Sequence, residues 1–354
     1  MTIPVRRLTL LIPGLLESLP ETFGRPVIPD RDTAVLKRFL GRADWRSIPV
    51  SGFEETLLFL FSAQCPSNSS PVAALAHLGE SGQRDEGWWL RADPVHVEPD
   101  QNRLLLFGER ELRIRADEAE QLIAELNDHY AGQGWFFEAA VPGRWYLKVP
   151  DEPAITGKCV REVLGRDINR QLPGGDHARR WRSLLNETQM LLHSSSVNQA
   201  RAQVHLPSVN SVWFWGAGRL PDVVRGQWDC VFADEPIAKG LAIAGESVLS
   251  ELPADANACI KSCSGEYNLV VLDGLDWDLA YGDSDAWVKR LGAICQNWVV
   301  GVLGSLRAGE LDEVELFPGN GYAYRLTRRQ LRKFWRSLRF ALPWQSVSTG
   351  PSEP

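Results

Sequence analysis

Three stretches of this sequence carry residue types whose spacing suits chemistry. In 206–221, LPSVNSVWFWGAGRLP, an aromatic and β-branched run is followed at once by Gly216-Ala217-Gly218 and then Arg219. Such a run, bounded by Pro207 and the glycines, reads as a buried strand breaking into a tight loop at its carboxyl end. Paired glycines let the backbone approach a neighbour or a ligand closely, and open α/β sheets bind ligands beyond the carboxyl ends of their strands. The same residues read equally well as a structural strand and turn, because Gly-x-Gly alone is a weak motif. The second stretch holds Asp273, Asp276, Asp278, Asp283 and Asp285, oxygen donors of the kind a hard cation takes. Helix caps and solvated loop charges are the simpler account of them. The third pairs Cys259 with Cys263; with no second pair and no nearby His this is a poor metal site.

The elements that must position these residues alternate between strand and helix. LTLLIP (8–13) is a short buried strand, and 30–42 a helix with Asp30 or Asp32 as its cap and Gly41 as its stop. A second helix covers 52–62, and PSNSSP (66–71) is linker composition. WWLRADPVHVEPDQNRLLLF is strand, turn, strand. In 117–134 Ala119, Leu122, Ile123 and Leu126 share one helical face, and WFFEAAV and RWYLKV follow as strands. That order predicts a small α+β insertion. NLVVLD (268–273) is the continuous apolar strand a parallel sheet buries on both faces. Its partner helix is expected over 284–307, capped by Ser284 or Asp285, and VELFPGNGYAYRLT closes the series as strand, turn, strand.

The balance of 354 residues, 44% hydrophobic and 23% charged, allows one large α/β domain carrying an insertion, or two domains. A net charge of −7 argues against a nucleic-acid partner, and the basic stretch 325–339 reads as the solvated face of a terminal helix. Six scattered cysteines fit free thiols in a reducing cytosol. Pro13 interrupts the first apolar run, which is therefore a strand and not a leader, and no run reaches the roughly 18 apolar residues of a membrane span. A cytoplasmic protein with no membrane partner is expected.

NETQMLLHSSSVNQARAQVHLPSVNSVWFWGAGRLP (186–221) resembles the Asn-x-x-Arg … Trp-Gly-x-Gly-x-x-Pro stretch of cofactor-independent phosphoglycerate mutases, especially the archaeal-type branch. DEPIAKGLAIAGESVLSELP (234–253) and 266–309 resemble later segments of the same family. The resemblance covers most of the chain, most specifically 165–221 and 234–300. It implies an alkaline-phosphatase-like α/β fold, a mostly parallel sheet flanked by helices with a small α+β inserted domain. The corresponding divisions are 1–90 and 156–340 for the α/β domain, 91–155 for the insertion and 341–354 for a flexible tail.

For the site, the resemblance implies a phosphate or substrate pocket of His177, Asn198, Arg201, Asn210 and Arg219. His177 stands where the family reads Asp-Pro-His, near a helix N-terminus, and Arg201 offers the planar fork that suits phosphate. The family's chemistry uses a phosphoserine and two divalent cations, usually manganese, held by Asp and His. Here Pro13 stands at the first ligand Asp, Glu54-Glu55-Thr56 falls where Ser-Asp-Thr is expected with Ser51 close by, and Asp276 is the one ligand-position carboxylate. Ala280 replaces the next His, and all six histidines (77, 96, 129, 177, 193, 205) precede residue 206. The sequence therefore predicts no catalytic residues and no metal or cofactor, with manganese required only if the protein is active. The expected role is that of a regulatory or phosphometabolite-binding pseudoenzyme, similar to a proteobacterial branch described as regulatory for pathogenicity factors. Its partners would be a phosphorylated small molecule or a protein. An active mutase or phosphohydrolase with a rearranged site, and a protein-interaction scaffold, are the alternatives.

Overall fold

LTLLI is apolar on both faces, and it seeds the wider of two sheets. The computed structural model describes residues 7–20, 23–24, 26–64, 70–263, 265–332 and 342–345. Residues 66–69 of the expected linker, 333–339 of the basic stretch, and the expected tail apart from 342–345 lie outside them. In chain order the strands are β1 (Arg7–Leu11), β2 (Asp44–Ser47), β3 (Trp88–Asp100), β4 (Arg103–Phe107), β5 (Phe136–Val141), β6 (Arg144–Val149), β7 (Ser211–Gly218), β8 (Cys230–Phe232), β9 (Val248–Ser250), β10 (Tyr267–Val271), β11 (Glu313–Phe317) and β12 (Tyr322–Thr327). Two compact units share them, one made of residues 1–63 and 225–354, the other of 64–224.

In the first unit seven strands run in the order β2-β12-β11-β1-β10-β8-β9. β11, β1, β10, β8 and β9 are parallel, and β12 and β2 close one edge antiparallel. Period-two alternation turns Leu8, Leu10, Phe232, Val270, Val314 and Leu316 into one core, packed with Phe39, Trp287, Leu291 and Leu303 from the flanking helices. Leu11, Val231, Leu269 and Val271 point the other way and are buried too, as a parallel sheet covered on both faces requires. The mostly parallel α/β architecture expected from the sequence is present. The long partner helix is interrupted: Ser284–Ile294 and Val300–Ala308 flank a π-helical turn at Cys295–Val299, and the cap is Asp283, whose carboxylate accepts from the Ala286 amide. The helix Asp30–Leu40 starts at Pro29 with no side-chain cap.

The second unit is a wholly antiparallel sheet, β4-β3-β6-β5 with β7 also on β3. The helix Ala116–Tyr130 lays Ala119, Leu122 and Leu126 into its core beside Trp145, Trp181 and Phe214. This unit is wider than the 91–155 insertion expected, because β7 pairs with β3 from Val95↔Ser211 to Trp89↔Gly218. SVWFW is thus a strand of the second unit and not of the parallel sheet. A continuous apolar run reads the same in any sheet covered on both faces, so the residues alone do not choose between the two. Gly216 and Gly218 serve a neighbour: a side chain on Gly216 (φ +63°) would lie 3.2 Å from Val72, and one on Gly218 2.7 Å from the Ser70 carbonyl oxygen. No helix among the described residues is long and apolar enough to cross a membrane.

Candidate functional site at the carboxyl edge of the parallel sheet

β1, β10 and β11 end in register, with Leu11 beside Val271 and Phe317. Ile12 N–H continues to the Phe317 carbonyl at 2.9 Å and Leu272 N–H to that of Leu11 at 2.9 Å, so three loops leave the sheet side by side. They carry Pro13-Gly14, Asp273-Gly274 and Pro318–Gly321. This is the edge where an open parallel sheet places its chemistry. A fourth segment joins them: Gly52 N–H donates to the Gly319 carbonyl at 2.8 Å, setting the exposed Ser51 just ahead of the helix Phe53–Leu60. Glu54 and Thr56 are buried, and the Thr56 hydroxyl donates to the Gly52 carbonyl at 2.5 Å.

The loop after β10 holds the acidic residues. Asp276 Oδ1 accepts from Gly274 N–H at 3.2 Å and Trp277 N–H at 3.0 Å, which starts the short helix Leu275–Ala280. Gly14 lies so close that a side chain there would meet the Asp276 backbone nitrogen at 2.6 Å. Asp278 is fully buried, and Arg290 Nε donates to its Oδ2 at 2.6 Å. That bond holds the Arg290 pKa above its ordinary value against the cost of burial, and the charges of Asp278, Asp273 and Asp276 add to it. Asp283 is a helix cap and Asp285 is exposed.

These residues do not fit the pair of Asp- and His-held cations that the resemblance implies. The loop after β1 carries Pro13, which has no donor side chain. Every histidine of the chain lies between residues 64 and 224, so the parallel-sheet unit contains none. Asn320 offers one buried amide oxygen without a hydrogen-bond partner, a single neutral donor beside carboxylates already engaged. No group of three or more His, Cys, Asp and Glu among the described residues is arranged to hold a metal.

All five expected pocket residues lie in the second unit, and they do not form one pocket. Arg201 is buried, its guanidinium donating to the carbonyls of Pro207 (2.8 Å) and Leu112 and to Glu118 Oε2 (2.7 Å). Asn198 is buried as well, bridging the Leu192 and Val209 carbonyls and accepting from Val209 N–H at 2.8 Å. Asn210 spends both ends of its amide on Val97, at 2.8 and 2.9 Å, along a groove of about 580 Å³ shared with Met190 and His193. His177 lines a separate cavity of about 80 Å³ with Arg180 and Trp181. Arg219 lies over the Trp88 ring, 4.8 Å from its centre. Asn198 and Arg201 spend their polar atoms on the surrounding chain, largely on carbonyls of the segment 204–209, and of the five residues only His177 and Arg219 are exposed.

Arg290 is the site residue that sequence reasoning missed. It follows Asp278 by twelve positions, on the exposed side of the next helix, and no spacing rule marks it. The one available signal was a cation on the helix following a run of aspartates.

The fold is an α/β fold of the alkaline-phosphatase type, mostly parallel with helices on both faces. A solved structure, the PH0037 protein from Pyrococcus horikoshii, shares it with a TM-score of 0.51 at 10% identity, over 94% of this chain and 93% of that one. The cofactor-independent phosphoglycerate mutase from Thermoplasma acidophilum DSM 1728 aligns over 91% of this chain and 90% of its own, at 13% identity and a TM-score of 0.41. In sequence the chain is similar to 2,3-bisphosphoglycerate-independent phosphoglycerate mutases. The Methanothrix thermoacetophila protein of that name is 23% identical over 290 residues, 72% of this chain and 73% of that one. A probable mutase from Geobacter sulfurreducens is 26% identical over 163 residues, 44% of this chain and 39% of its own length. No family model matches the chain.

Proposed function

We propose that this phosphoglycerate-mutase-like protein does not transfer phosphoryl groups through a metal pair, and acts as a non-catalytic regulatory or phosphometabolite-binding protein. One observation carries the reading: the unit with the parallel sheet has no imidazole at all, and the loop after its first strand carries Pro13. Two-metal catalysis neutralises the transferring phosphoryl group and activates the attacking oxygen, and both effects need a full set of ligands. Binding of a phosphorylated three-carbon acid would then rest on the exposed Arg219 rather than on the buried Arg201. A scaffold function has its own observation, the Trp45 ring two-thirds exposed on the edge strand β2 and packed edge-on to Tyr322 at 5.7 Å.

The test is purified protein with 3-phosphoglycerate and Mn²⁺. No 2-phosphoglycerate above the protein-free control is expected; manganese-dependent turnover would remove the reading. Thermal shifts with phosphoglycerates separate binding from scaffolding. A ligand at a hundred times its Kd adds about 2.7 kcal/mol to stability, and the shift should fall in Arg219→Ala.

A further inference from the structure

We propose that Arg290 is a built-in replacement for a metal ion: its guanidinium fills the carboxyl edge beside β10 and supplies the positive charge that Asp273, Asp276 and Asp278 would otherwise draw from a divalent cation. This rests on the reading of the edge as metal-free and names the group that makes it so.

Arg290 projects from the helix Ser284–Ile294 onto the loop after β10, and its guanidinium lies flat against Gly274. A side chain at Gly274 would meet the guanidinium carbon and two of its nitrogens at 2.9 Å, and the φ of +116° there excludes one in any case. The backbone has been left bare where the guanidinium sits. From that position Nε reaches Asp278 at 2.6 Å, a carboxylate with no solvent exposure of its own. A buried carboxylate without a cation is costly, so this partner is not dispensable. The acidic loop is the segment whose Asp276 matches a ligand position in the resemblance, yet the charge facing it comes from a side chain of the same chain. The carboxylates of Asp278, Asp273 and Asp276 around this guanidinium make the loop a poor seat for a phosphate monoester. Phosphoanion binding therefore belongs elsewhere in the molecule.

The experiment uses the full-length protein and Mn²⁺ as the probe, with binding read by electron paramagnetic resonance and stability by thermal melting. Wild type is expected to show no saturable Mn²⁺ binding and no shift of its Tm in millimolar Mn²⁺. Arg290→Ala should melt about 5 °C lower or more, and saturating Mn²⁺ should restore at least half of that loss. Adding Asp278→Asn should abolish the rescue. An Arg290→Ala protein as stable as wild type, or destabilised and indifferent to Mn²⁺, overturns the proposal. The wild-type measurement decides even if the variant does not fold: saturable Mn²⁺ binding that Asp276→Asn removes also overturns it. Phosphoglycerate turnover without metal would sink the non-catalytic reading and leave the role of Arg290 standing.

Discussion

A guanidinium carries five donors, and where they are spent decides what an arginine does. Arg201 spends its own on two carbonyls and Glu118 in a site with no access to solvent, so it ties the helix Ser196–Gln203 to the chain around Leu112 and Pro207. Its residue type and spacing suggested phosphate, but neither reveals whether carbonyls of the same chain reach the fork first. Arg201→Ala should leave Glu118 with Arg115 alone, its backbone N–H at 2.9 Å and its guanidinium at 3.3 Å, strip the Pro207 and Leu112 carbonyls of this donor, and cost about 1–3 kcal/mol, read as a lower urea midpoint. The shift produced by a phosphoglycerate, measured below that midpoint, should be unchanged. Arg219, exposed and lying over the face of Trp88, should behave in the opposite way, with little effect on stability and a loss of any anion response.

At the scale of elements, most of the parallel sheet was legible. LTLLIP, NLVVLD and VELF are apolar runs bounded by Gly, Pro or Asp, and they became β1, β10 and β11. The amphipathic helix after residue 116 followed from its spacing in the same way. The assignment of SVWFW to a sheet was not legible, because strand pairing is a long-range choice and its aromatic run satisfies either sheet. What fixed it were the bare backbones of Gly216 and Gly218, which let the helix Val72–Ser81 and the residues before it lie against β7. Gly216→Ala should therefore cost about 1–3 kcal/mol, from a positive φ combined with the contact on Val72, measured by denaturant unfolding. The cation at the acidic edge was hidden for a related reason: Arg290 and Asp278 meet across a turn and a new helix, a distance no local pattern encodes.

Across the molecule Cys230, Cys259 and Cys295 are buried, and the pKa of each is raised. Burial pushes the pKa of Cys295 from 9.0 up to about 12, with the Asp32 carboxylate adding to the effect. The unfolded thiol ionises from about pH 9 and the folded one only near 12, so the contribution to stability is complete below 9 and is lost as pH rises between the two. Unfolding free energy should fall by about 1.4 kcal/mol per pH unit for this group across that window. Urea titrations at pH 8, 10 and 11 check it, and in Cys295→Ala this part of the slope should disappear.

The neighbours of β1 have a consequence for how the chain is made. Arg7–Leu11 bonds only to β10 and β11, which begin at residues 267 and 313, whereas every strand partner within 64–224 comes from the same segment. At about 5–20 residues per second a ribosome takes on the order of 13–50 s to travel from β1 to the end of β10. The three leucines of this strand must wait through that interval, shielded by something other than their final sheet, while the intervening segment has already been supplied with all of its own strand partners.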